Sequence, residues 1–382
     1  MKKFYRFANK NRKLGAILTL TVLLLPGLPA KSQDPLYSQW TNVQTYFNPA
    51  YVGVSPGLRT RFAYRKQWVK LPSDFRTFRF DMDIAAREIP GSGGLGIMFD
   101  SDNEGDGIIK RSQAGLTVAV RIPIMQNVIS QFGILSSFIQ KKIDWDRFVF
   151  TDQLDDKYGN IYQTSFAHPS DEQIIYPDFS TGALVKFVQP TWRHTEIIGT
   201  VGLAVHHIFE PNEAFLGEES PLPRKYVVTM DFIIQDQMNR GPHKKFRTAK
   251  GGFRFNPGFI YKYQGGMSTY QVGMNMHKFP IYIGLWYRND KLEFLDYDAL
   301  VALVGINIEF NDVSRMKMYY SFDIQLSDMM QATGGTHEIV IIFSFDEMRL
   351  FGNGSNKKHK LTGNYTARRV NHNPKALECP SF

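Results

Sequence analysis

The chain has 382 residues, a formal net charge of +9, 14% aromatic residues and one cysteine, Cys379, which excludes an intrachain disulfide scaffold. Its charge is uneven: residues 1–32 hold seven Lys/Arg and no acid, residues 349–382 hold seven and one, and residues 33–348 hold 31 Lys/Arg against 35 Asp/Glu. The positive charge belongs to the two ends, and the net −4 between them excludes a basic nucleic-acid-binding domain, so no nucleic-acid partner is expected.

In chain order, Lys2, Lys3, Arg6, Lys10, Arg12 and Lys13 precede an apolar run at 14–25, with the small residues Ala30 and Ser32 after it. This is the layout of a secretory signal peptide over 1–32, with a mature chain beginning near Gln33. A membrane anchor is the competing reading, but the run is shorter than the ~20 residues a spanning helix needs. No later stretch offers ~18 consecutive apolar residues, which excludes a helical membrane protein. Residues 33–56 read as an N-terminal periplasmic, plug-like segment.

From 57 to 346 the side chains alternate with period two, as in strands. In LRTRFAYRKQW, Leu58, Phe62, Tyr64 and Trp68 oppose Arg59, Arg61, Arg65 and Gln67. In RTFRFDMDIAAR, Phe78, Phe80 and Met82 oppose Arg79, Asp81 and Asp83. RMKMYYSFDIQL and HEIVIIFSFD repeat the pattern, with Lys317, Asp323 and Glu338 on the polar faces. A soluble sandwich would also alternate. Aromatic-rich apolar faces with Tyr and Trp near strand ends, opposite faces dense in both charge signs, favour a membrane barrel with an ion-paired lumen. The pattern predicts an all-β fold, a transmembrane antiparallel β-barrel of about 14 strands with outer-membrane lipid around it.

The predicted strands lie near 57–69, 75–88, 93–101, 109–122, 128–143, 178–189, 195–209, 224–235, 252–264, 267–278, 280–289, 299–310, 315–326 and 336–346. With a periplasmic N-terminus, the long connections 144–177 and 210–223 fall outside and the short ones at 189–194, 279–280 and 311–314 fall inside. The long, basic 236–251 connection falls inside and the short 264–267 turn outside, against that rule. Beyond the last strand, 347–382 is a basic periplasmic tail, too poor in apolar residues to fold alone. It reads either as a dangling terminus or as a docking arm with Tyr365, Leu377, Pro380 and Phe382 as partner-binding anchors; Cys379 reads as a small packing residue.

Motifs for chemistry are sparse. DSDNEGDG (100–107) begins like a calcium loop, but its twelfth position is Arg111 rather than a bidentate carboxylate, so it reads as a solvated acidic hairpin. His206 and His207, adjacent in a strand pattern, are expected on opposite faces and do not form a joint metal site; His337 and Glu338 diverge for the same reason. There is no GxSxG, HExxH or Walker sequence, and neither an enzyme nor a cofactor is expected.

QDPLYSQWTNVQTYFNPAYVG (33–53) resembles the mature N-terminus of the PorP/SprF family of type IX secretion system membrane proteins, through Gln33-Asp34, Ser38-Gln39, Asn48-Pro49-Ala50-Tyr51 and Gly53. Further matches are Arg65 with Gln67-Trp68, PDFSTG (177–182), GLWYR with Tyr287 and Arg288, YSFD with Asp323, and TGGTHEI with Gly334, His337 and Glu338. The resemblance implies an integral outer-membrane barrel of the secretion and gliding machinery that is not an enzyme. It also implies partners: a secreted adhesin or other type IX substrate, and periplasmic secretion-ring components. A porin-like channel for small solutes is the alternative. The mixed signs of Arg59, Arg61, Arg65, Arg79, Asp81, Asp83, Lys317, Asp323 and Glu338 suit an ion-paired filling better than an open pore.

Overall fold

A computed structural model of the chain describes residues 34–348, except 72–74, 87–90, 106–107, 170, 192–194, 216–218, 237–251, 290–298, 312, 327–331 and 347. The leader expected over 1–32, Gln33, and the tail anchors Tyr365, Leu377, Pro380 and Phe382 lie outside the described residues, as does Cys379.

Fourteen antiparallel strands close into a barrel. They are β1 (Leu58–Gln67), β2 (Phe75–Ala85), β3 (Ser92–Glu104), β4 (Ile109–Met125), β5 (Val128–Ile143), β8 (Gln173–Pro190), β9 (Thr195–His206), β10 (Lys225–Asp236), β11 (Arg254–Gln264), β12 (Met267–Lys278), β13 (Ile281–Asn289), β14 (Ala299–Glu309), β15 (Ser314–Gln325) and β16 (Thr336–Phe345). A small hairpin of β6 (Leu154–Asp155) and β7 (Gly159–Asn160) decorates the connection from β5 to β8. Each barrel strand pairs with its chain neighbour, and β16 closes the ring on β1 in register from Leu58↔Phe345 to Gln67↔Thr336. Closure gives every strand two partners, so no edge is left to meet lipid unsatisfied.

The period-two pattern sorts the side chains. On β16, Ile339 is 42% exposed with Ile341 and Phe343 half-buried beside it, while Glu338, Val340, Ile342 and Ser344 are buried. The same outward band runs through Leu116, Val118 and Val120 on β4, Ile134 and Phe138 on β5, and Ile283 and Leu285 on β13. The inward faces carry the charges. The barrel has a turn end, where β1 begins and β16 stops, and a loop end, which bears the 144–172 connection.

Two local expectations are corrected. Residues 100–104 of the acidic stretch are the last part of β3 rather than a solvated hairpin, and Asp100 and Asp102 are buried in the lumen against Arg79 (2.5 Å) and Thr77 (2.5 Å). A strand sets alternate carboxylates on one face and does not curl them around an ion. His206 and His207 both turn inward. His207 leaves the strand with φ 55°, which redirects its ring to the same side as that of His206. Among the described residues, no group of three or more His, Cys, Asp or Glu side chains is placed to hold a metal ion.

Candidate functional site

The lumen is occupied by the chain's own residues 34–56. They start at the loop end, descend between the walls and reach β1 at the turn end. They fold as little as a short segment must: one turn of helix, α1 (Gln44–Phe47), then a 3₁₀ turn (Pro49–Tyr51). Tyr37, Trp40, Val43, Tyr46 and Phe47 are buried in one cluster with the inward apolar wall residues Ala63, Ala204, Val227, Ile260, Tyr282, Trp286, Val301, Leu303, Val340 and Ile342. Trp40 meets Trp286 edge to face at 5.6 Å. Val340 and Ile342 therefore face inward to contact the plug, although their sequence face is otherwise polar.

The Asn48-Pro49-Ala50 motif is the lower clamp. The Asn48 side chain accepts from the Ala50 N–H (2.8 Å), capping the 3₁₀ turn, with Pro49 at the first helical position where its missing N–H costs nothing. Its amide also donates to the carbonyls of Ala183 on β8 and Leu203 on β9 (both 3.1 Å). The walls are thinned to admit it: a Cβ at Gly182 would overlap the Asn48 amide, and one at Gly133 the Pro49–Ala50 peptide. Below, Gln131 donates to the Val52 carbonyl (2.6 Å) and the Gly53 N–H donates to Asp83 (2.8 Å).

The upper clamp gathers four wall charges. Glu338 accepts from the backbone N–H groups of Ser38 (2.8 Å) and Gln39 (3.0 Å), one on each oxygen. Ser38 Oγ donates to Asp323 (2.6 Å), which also pairs with Arg288 (2.8 Å); Arg65 lies 3.3 Å from Glu338 and 3.5 Å from Asp323. All four side chains are buried, so each charge is held by an opposite one at short range. A second ladder binds Arg61 to Asp81 and Asp83, and Arg79 to Asp81 (3.1 Å) and Asp100; Thr45 of the plug donates to Asp81 (3.1 Å).

At the loop end, the Asp34 carboxylate is held by His207 (2.8 Å), Lys225 (3.0 Å) and Arg111 (3.7 Å), and the Asp34 N–H donates to Gln264 (3.1 Å). His207 also meets Asp178 at 3.0 Å through its other nitrogen. Burial disfavours the imidazolium, but the carboxylates of Asp34 and Asp178 outweigh it and lift His207 to about 9. Burial likewise opposes the Asp34 charge and is outweighed by His207, Lys225 and Arg111, so its carboxyl lies well below the usual range.

The motif residues thus divide. Asn48, Pro49, Ala50, Arg288, Asp323 and Glu338 converge on the lumen. Gln67, Trp68, Tyr287, Gly334 and His337 do not join them. Gln67 ends β1, and the Trp68 N–H donates to the Gly335 carbonyl (2.9 Å), tying the β1 and β16 ends beside Gly334. His337 is half-buried on the outward face and bonds the Tyr320 hydroxyl (2.7 Å), and Tyr287 also faces outward. Asp34 and His207 were not legible as partners, because 173 residues separate them; the only signal was two buried-type charges without local counter-ions.

No curated protein matches the chain in sequence. Among solved structures it is similar to the Pseudomonas putida toluene transporter TodX (8% identity, TM-score 0.38, covering 83% of this chain and 95% of that one). It is also similar to the Ralstonia pickettii toluene transporter TbuX (7%, TM-score 0.39, 80% and 94%) and the Acinetobacter baumannii outer membrane protein Omp33 (5%, TM-score 0.34, 77% and 99%). The family model described as type IX secretion system membrane protein PorP/SprF matches residues 30–343, most of the chain and every barrel strand but the end of β16. The chain belongs to the PorP/SprF family of type IX secretion system membrane proteins.

Proposed function

We propose that the protein is a non-enzymatic, sealed outer-membrane platform of the type IX machinery. In this reading it does not conduct solutes. It meets a secreted adhesin or other exported substrate at its loop end and periplasmic ring components at its turn end. The observation that carries this reading is the plug: residues 34–56 are buried along the lumen and clamped at both ends and in the middle, leaving the barrel's interior spent on holding its own chain. The loop end suits an outside position because bacterial barrels keep their longer connections there. The porin-like alternative requires a continuous aqueous path, which a segment hydrogen-bonded to thirteen of the fourteen strands obstructs.

The test of the platform reading is deletion of 353–382. Every strand remains intact, so the barrel should insert normally. Export or surface display of the cognate secreted protein should fall, and co-purification of periplasmic partners should weaken. Normal export with unchanged partners would make the tail a dangling terminus.

A further inference from the structure

Near the turn end, the lumen charges of Arg59 and Lys317 stand outside the ion-pair networks described above. Arg59 and Lys317 are each only 6% exposed, on the inward faces of β1 and β15 near the turn end. Their side chains have no hydrogen bond and no carboxylate within ion-pair distance among the described residues, and Arg59 Nη2 is fully enclosed and unpartnered. The nearby acids are engaged elsewhere. Asp83, across from Arg59 on β2, is taken by Arg61 (2.6 Å) and the Gly53 N–H; Asp346 is taken by Arg315 (2.5 Å). Arg59 and Arg315 flank Ser344 from either side in register, and Lys317 sits one inward step deeper on β15. Lys317 lies among the like charges of Arg315, Arg59 and Arg254, with Asp346 as an opposing charge beyond ion-pair distance. Glu309, the cross-strand neighbour of Arg315, is half-buried and makes no ion pair among the described residues. Tyr282 and Tyr319, edge to face at 4.8 Å, lie among the inward residues behind the group.

Buried cations without counter-ions are costly, and the lumen residues Arg61, Arg65, Arg79 and Arg288 each have one. We propose that Arg59 and Lys317, with Arg315 and Arg254 at the rim, form a socket for the carboxylates of an acidic protein segment entering the turn end. The side chains project into the lumen rather than toward lipid, which argues against a lipid headgroup. A protein rather than a small anion is favoured by what leaves the same end. The 237–250 connection between β10 and β11 carries five Lys/Arg and no acid, and 349–382 carries a net +6. The inference deepens the platform reading and rests on it for the compartment in which the partner is found.

The experiment uses the purified full-length chain in detergent and a fluorescent octaglutamate peptide, followed by anisotropy at low ionic strength. The wild type should bind, and the Arg59→Gln/Lys317→Gln variant should bind about tenfold more weakly or worse, since two charge-assisted contacts are lost. Its tail and basic connection are unchanged, so the difference reports the socket. The unliganded variant should melt no lower than the wild type, because it has lost two uncompensated charges; a role in holding the wall would lower it. If the double variant does not fold, Lys317→Met against the charge-keeping Lys317→Arg gives the same comparison, with binding lost only in the former. Equal peptide binding by wild type and variant overturns the socket. So does heat protection of the wild type by inorganic phosphate with none from the peptide, which would make the site one for a small anion. Neither result depends on export, so failure here is distinct from failure of the tail deletion.

Discussion

A charged or amide side chain in a lumen is stable only when its partners are fixed, and three residues show how much rests on that. Asn48 makes three hydrogen bonds, each worth about 1 kcal/mol. Asn48→Ala is expected to destabilise the folded barrel by about 3 kcal/mol, read as a lower unfolding midpoint in denaturant. The sequence marked Asn48 only as a motif residue; its cap on the 3₁₀ turn and its wall partners on β8 and β9, far away in the chain, come from the fold. His207 and Asp34 make a pH-dependent anchor. The raised pKa of His207 means its contribution is full below about 6.5 and is lost as pH rises through about 9. The lowered Asp34 carboxyl contributes above its ordinary range and is lost in acid. Thermal stability measured against pH should therefore fall on the alkaline side more steeply for the wild type than for His207→Gln, which starts lower at neutral pH. Parallel alkaline limbs would show that His207 does not anchor the plug.

At the scale of elements, the strands were the most readable part, because a wall between lipid and a charged interior forces alternation. The opposite sorting of Ile339, Ile341 and Phe343 from Glu338, Val340, Ile342 and Ser344 shows this on one strand. Ile341→Arg near mid-membrane should cost roughly 2–4 kcal/mol, seen as reduced insertion and loss of the heat-modifiable folded band on gels. Element ends were less readable. β8 begins at Gln173 rather than 178, since the strand runs on through Pro177, whose missing N–H would ordinarily mark a boundary. β3 continues to Glu104 because Arg79 and Thr77 draw Asp100 and Asp102 inward, a tertiary effect that an acidic, Gly-containing stretch hides. The plug's path was illegible for a related reason: its aromatics have no period, and their partners are spread over the barrel.

At the scale of the molecule, the two ends differ in sign. The 144–172 connection at the loop end carries seven acids against two bases, whereas the strands whose ends lie at the turn end lead into the basic sequences 237–250 and 349–382, and Arg59 and Lys317 lie in the lumen near that end. A partner approaching each end would be selected by opposite charge and steered to it. The lumen between them is filled by a segment that satisfies the wall charges it touches, which is why the barrel is expected to act as a platform. The most direct test of that claim is single-channel recording of the full-length protein in a planar lipid bilayer. The account predicts current at baseline, with at most brief excursions, from the unmutated protein. Large, steady conductance steps from that protein would contradict it and make the barrel a channel.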